Sequence, residues 1–146
     1  MKSIKLFSLI SVLCFALSIG SAVAGTKEKA LFVNLTSNEM NRAAMAISFS
    51  TRVLEQKKMP ATIFLNVDGV RLANKNIPGS RHVSGKTLQE MLVQFMASGG
   101  KVIVCPMCMK NVGGMTTADL INGAMVGGSD VTWPALFAEN TTVLNY

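Results

Sequence analysis

Apolar residues recur along this chain in short continuous runs and then at helical spacing, and the two patterns alternate. Residues 30–35 form an apolar, β-prone run that predicts a strand. Ser37 or Asn38 can cap a helix in which Met40, Ala43, Ala44, Ile47 and Leu54 approximate one face, and Pro60 requires that helix to stop. A second strand follows over 61–67, closed by the turn signal Asp68-Gly69. Residues 71–86 are polar and irregular, with Pro78-Gly79 at their centre. Thr87 and Glu90 have the spacing of a capping box, and Leu88, Met91, Leu92, Phe95 and Met96 continue at i, i+3, i+4, i+7 and i+8. Gly99-Gly100 ends that helix.

Residues 101–104 read as a third strand, apolar on both faces as a central parallel strand is. The strand runs straight into Cys105-Pro106-Met107-Cys108, which places Cys105 at its tip and Cys108 in a loop beyond. After Gly113-Gly114, Thr116 or Thr117 can open a brief helix through Ile121. A short fourth strand is expected at 124–126, a last helix over 130–138 and a closing strand over 141–145. Strands alternating with helices predict an α/β domain with a mainly parallel sheet and helices on both faces. In such sheets chemistry gathers at the carboxyl ends of the strands, where the two cysteines fall.

Composition changes the reading at the N-terminus. The chain has 146 residues, 49% hydrophobic and 15% charged, which suits one domain and excludes a highly charged disordered chain. Part of the apolar excess is concentrated in residues 6–19, preceded by Lys2 and Lys5 and followed by Ser21-Ala22-Val23-Ala24. A charged start, an apolar centre and an A-x-A end describe a secretory signal peptide over 1–24, leaving a domain over 25–146. The apolar run is shorter than the roughly 20 residues that span a bilayer. The expectation is a periplasmic or secreted protein with no membrane attachment once the leader is removed. The net charge of +6 includes both leader lysines. With no Lys/Arg cluster and single Trp133 and Tyr146, nucleic-acid binding is not expected. No P-loop is present and no G-x-G-x-x-G follows the first strand, so no nucleotide or flavin cofactor is expected.

Cys14 lies in the apolar leader, behind a bulky Leu13 that does not suit a lipoprotein acceptor. Cys105 and Cys108 remain. A bridge between residues three apart constrains little of the unfolded chain, so chemistry explains the pair better than loop closure. A thiolate is favoured by backbone N–H groups and nearby cations. Lys110 supplies a cation, and the Gly113-Gly114 turn offers amide donors. Three kinds of chemistry suit the spacing. One thiol can carry sulfane sulfur as a persulfide while the other resolves it. The pair can cycle between dithiol and disulfide as an oxidoreductase, or form an idle local disulfide. Both can ligate Cu(I) or another soft metal, with Met107, Met109 and Met115 as thioether neighbours. A closed zinc site is not expected, because His82 is the single histidine and there is no second cysteine pair.

The sequence resembles the DsrE/DsrF-like sulfur-relay proteins over most of the mature chain. The likeness rests on residues 64–73 (Phe-Leu-Asn-Val-Asp-Gly-Val-Arg-Leu-Ala) and 101–110 (Lys-Val-Ile-Val-Cys-Pro-Met-Cys-Met-Lys), and downstream on 119–123 and the final helix and strand. The resemblance implies a three-layer α/β/α fold with a five-stranded parallel sheet and assembly into trimers or hexamers. It further implies that Cys105, the strand-end cysteine, accepts and passes on sulfur as a persulfide. The partners it implies are a sulfur donor or acceptor protein or a small thiol. The chain differs from the family's single-cysteine pattern in Cys108 and in its leader.

Other residues have simpler roles. Met91 and Met96 fall on an apolar helix face and read as core. His82 reads as a loop residue, with proton donation near sulfur as the alternative. Asp119 reads as a helix-start carboxylate, and Trp133 as a packing or subunit-contact residue.

Overall fold

Five strands meet in one sheet: Ala30–Leu35 (β1), Ala61–Leu65 (β2), Lys101–Val104 (β3), Met125–Val126 (β4) and Thr141–Asn145 (β5). All neighbours are parallel, in the order β4-β3-β2-β1-β5. The computed structural model describes residues 28–146, so the expected leader over 1–24 and Cys14 lie outside the described residues. No helix among the described residues is long and apolar enough to cross a membrane. The sheet with its helices is the α/β architecture expected from the alternating pattern.

Parallel pairing requires a crossover after each strand, and two long helices supply it on one face. These are Met40–Lys57 (α1) and Leu88–Ala97 (α2). Val33, Leu35, Ile63, Leu65, Val102 and Val104 pack with Ala43, Ile47, Leu92 and Phe95 in one core cluster. Small residues on α1, Ala43, Ala44 and Ala46, are fully buried there and let the helix approach closely. On the opposite face Phe32, Thr62 and Ile103 are buried, and the rings of Phe32 and Phe64 lie 5.9 Å apart. The continuous apolar pattern of β3 thus reflects burial on both sides.

The third layer is slight. Its helix is Thr132–Leu136 (α4), shorter than the expected 130–138, and Pro134 and Ala135 border Lys101 and Ile103 of β3. Trp133, Phe137, Met125 and Val143 remain exposed around it.

Local chemistry explains the other departures. Glu39, rather than Ser37 or Asn38, caps α1: its carboxylate accepts from Asn41 N–H at 2.9 Å and Arg42 N–H at 2.8 Å. A charged acceptor outcompetes the neutral ones at a helix N-terminus. Ser37 instead accepts from Glu39 N–H. The capping box of α2 is present as read, with Thr87 Oγ1 accepting from Glu90 N–H and the Glu90 carboxylate accepting from Thr87 N–H. β2 ends at Leu65 rather than 67, because Val67–Ala73 closes into a 3-10 helix.

Candidate active site at the tip of the third strand

Cys105 extends the β3 ladder by one step, its N–H donating to Leu65 O at 2.9 Å. It also caps a helix. Pro106–Asn111 forms α3, with Pro106 at the first helical position, where its fixed φ and missing N–H cost nothing. This corrects the expectation of a loop: Cys108 stands within the first turn of α3, and the Cys105 carbonyl accepts from Met109 N–H at 2.8 Å. The strand therefore fixes one sulfur and the helix the other.

Both cysteines are free thiols and half-buried. Their sulfurs are in hydrogen-bond contact, and Cys108 Sγ also accepts from the backbone N–H of Val67. Burial pushes the Cys108 thiol above its ordinary pKa; the Val67 N–H opposes that shift, and the hydrogen bond and charge of Cys105 add to it. The net effect on Cys108 favours its thiol form.

The donor that reaches sulfur was not among those expected. Gly113 N–H is committed to the Cys108 carbonyl at 2.9 Å, so the glycine turn closes α3 instead of facing the thiols. Val67 takes its place, at φ 46°, a left-handed conformation that is sterically costly for a β-branched residue. Strain of this kind is found where the backbone must aim a group, and here it aims an N–H at Cys108. Gly69 seats the 3-10 helix, donating to Thr36 O at 3.1 Å and Asn66 O at 2.9 Å. Arg71 then ties that helix to the end of α3, donating from Nη2 to Val112 O at 2.7 Å, with its Nε 3.4 Å from Asp68 Oδ1. In the sequence this segment carries the Asp68-Gly69 turn signal and one of the stretches of family likeness, residues 64–73.

The remaining candidates do not converge on the sulfurs. Met109 and Met115 are buried members of the core cluster, while Met107 is 70% exposed at the site's rim. No group of three His, Cys, Asp or Glu suited to a metal ion occurs among the described residues. Lys110 is exposed in the last turn of α3, two residues from Cys108, a spacing that sets the two side chains on different sides of a helix. His82 belongs to a turn closed by His82 N–H donating to Lys86 O, and Ser84 N–H donates to its Nδ1 at 3.3 Å. Asp119 accepts from Thr116 N–H and Oγ1, both at 2.8 Å, which holds its carboxyl below the usual range; it caps the 3-10 turn Thr117–Asp119. That element is shorter than the helix expected through Ile121.

Comparison with known proteins sets this geometry in context. The model of the DsrE/DsrF-like family matches residues 28–146. The fold is similar to the crystal structure of the ychN protein from E. coli, with a TM-score of 0.64 at 21% identity, covering 82% of this chain and 99% of that one. It is also similar to MTH1491 of Methanobacterium thermoautotrophicum, a protein of unknown function, with a TM-score of 0.64 at 15% identity, covering 82% of this chain and 100% of that one. At these identities the likeness is one of fold. No protein of curated function matches. The family match takes in the whole described sheet and the cysteine helix with it, and the chain belongs to the DsrE/DsrF-like family.

Proposed function

We propose that this protein is an exported, homo-oligomeric sulfur carrier that holds sulfane sulfur as a persulfide on Cys105. The observation that carries the reading is the pair of free, hydrogen-bonded, half-buried thiols at the tip of β3, in a chain of this family. The nucleophile is assigned to Cys105, the strand-end cysteine that the family likeness points to, fixed by its N–H bond to Leu65 O. Its thiolate attacks the terminal sulfur of a donor persulfide, forming Cys105–S–SH and releasing the donor thiolate. Cys108 is the resolving thiol: after losing its proton it attacks the inner sulfur of Cys105, forming a disulfide and expelling hydrosulfide. Lys110 adds positive charge to the exposed side of α3, where it favours approach of an anionic donor. The exposed Trp133 and Phe137 beside the thin third layer support assembly with further copies, in the trimers or hexamers the family likeness implies. The leader over 1–24 supports export to the periplasm or medium.

Intact-mass measurement of the reduced protein after exposure to a small-molecule sulfane donor tests the reading. One added sulfur is expected, absent from Cys105→Ser and longer-lived in Cys108→Ser. Failure of the reduced wild-type protein to gain sulfur from any donor class refutes it.

A further inference from the structure

Among the described residues, two buried side-chain polar atoms have no hydrogen-bond partner in the protein, Asn66 Oδ1 and Thr141 Oγ1. Thr141 begins β5, at the far end of the sheet, whereas Asn66 stands beside the cysteines. A buried acceptor without a partner carries the full cost of its desolvation, so such an atom calls for an explanation.

The position of Asn66 suggests one. It directly follows β2 in an extended conformation, at φ −140° and ψ 177°. The register pairs Leu65 with Val104, and Cys105 N–H donates to Leu65 O, so Cys105 is the cross-strand neighbour of Asn66. Neighbours in register put their side chains on one face of a sheet. The Asn66 amide is also anchored. Its Nδ2 donates to Asn34 Oδ1 at 2.6 Å, and Asn34 Nδ2 donates to Asn145 Oδ1 at 2.9 Å, a row of amides across β2, β1 and β5. With Nδ2 held on the β1 side, Oδ1 is the uncommitted corner of the amide. The next residue, Val67, donates its N–H to Cys108 Sγ. Asn66 thus offers a free acceptor on the residue in register with Cys105, next to the Val67 N–H that serves Cys108.

No hydrogen bond joins Oδ1 to the Cys105 thiol. A persulfide is longer by one S–S bond, about 2.0 Å, and carries its proton on the far sulfur. We propose that Asn66 Oδ1 accepts the terminal S–H of a Cys105 persulfide and so holds the carried sulfur in its neutral form. The inference rests on the persulfide reading above and deepens it by naming the group that retains the cargo. A neutral persulfide is the form open to attack: an acceptor thiolate bonds to the terminal sulfur, the S–S bond breaks, and Cys105 leaves as thiolate. The proton stays on the transferred sulfur as the acceptor becomes R–S–SH, and nothing external is oxidised or reduced. An ionised persulfide would repel the incoming thiolate.

The test loads the full-length mature protein with one sulfur and follows its transfer to glutathione across pH by intact mass. An acceptor for the neutral form raises the pKa of the persulfide. Asn66→Leu is expected to slow transfer about tenfold and to move the alkaline decline in rate down by roughly one pH unit. Asn66→Asp puts a charged acceptor in the same shape and is expected to move that decline upward. A merely structural residue would not give shifts of opposite sign. If Asn66→Leu does not fold, the upward shift in Asn66→Asp decides alone. Wild-type protein that carries sulfur, with unchanged profiles in the folded variants, overturns this inference and leaves the carrier reading standing. Wild-type protein that takes up no sulfur overturns both.

Discussion

Gly69 is where the geometry of the cysteine site depends most directly on one missing side chain. A Cβ built at this position would lie 2.2 Å from Leu35 O and 3.1 Å from Leu35 C, both backbone atoms of β1. Neither can swing aside as a side chain does. The 3-10 helix would have to withdraw by about 1 Å to restore ordinary contact. That withdrawal would stretch the Gly69 N–H bond to Thr36 O, already 3.1 Å long. Overpacking against a fixed wall costs about 1–3 kcal/mol, and losing one backbone hydrogen bond costs about 1 kcal/mol more. Gly69→Ala is therefore expected to destabilise the fold by about 2–4 kcal/mol, on the sum of those two effects. Urea unfolding followed by circular dichroism reads this as a lowered midpoint at unchanged slope. Gly85→Ala is the matched control: its φ is +81° but nothing lies within 4 Å of the added Cβ. Only the left-handed backbone penalty of about 1–2 kcal/mol applies there. If Gly69→Ala proves no more damaging than Gly85→Ala, the close approach to Leu35 is not what seats this helix, and the account of how Val67 reaches Cys108 falls with it.

Other outcomes can be checked independently. Glu39, Glu90 and Asp119 are each held below the usual carboxylate range, first of all by backbone N–H groups of Asn41, Thr87 and Thr116. Their contribution is present above the ordinary carboxylate pKa and is lost as pH falls through the lowered folded values, so urea midpoints should decline in acid. Thr87→Ala should cost about 1 kcal/mol at neutral pH; an unchanged midpoint would show the α2 capping box to be idle. Cys108 is shifted upward, so above the ordinary thiol pKa of about 8.5 the unfolded chain ionises first and stability falls with rising pH. Cys108→Ala should flatten that alkaline slope, and an equal slope in both proteins would argue against the shift. Phe137, 74% exposed, is expected to lie in a subunit contact. Phe137→Asp should lower the mass found by light scattering, and an unaltered mass would place the contact elsewhere.

How far the sequence reveals this molecule depends on whether a feature is local. The α2 capping box is written in four consecutive residues, and its helix lies where the spacing places it. β3 is equally plain, since burial on both faces leaves an unbroken apolar run. Near the site the signals become non-local. The loop expected around Cys108 is a helix because Pro106 stands at a first helical position and the strand-end carbonyl of Cys105 accepts its first bond, a combination that reads as a break from either side alone. Val67 looks like the end of a strand by side chain, but its φ is left-handed in a segment that Gly69 ties to Thr36, more than 30 residues earlier in the chain. Asn34, Asn66 and Asn145 are unremarkable polar residues until parallel pairing sets them in one row. Loop methionines near a C-x-x-C suggest soft-metal ligation, yet Met109 on α3 and Met115 beyond the turn that closes it are both core residues.

The placement of β1 has a consequence for how such a chain is made. This strand lies between β2 and β5, and Ala30 pairs with Thr141 at nearly the opposite end of the polypeptide. An inner strand thus waits for its second neighbour until the last segment has emerged. Long-range parallel pairing of that kind is intrinsically slow. The sheet therefore closes only once the residues of β5 are free to pair.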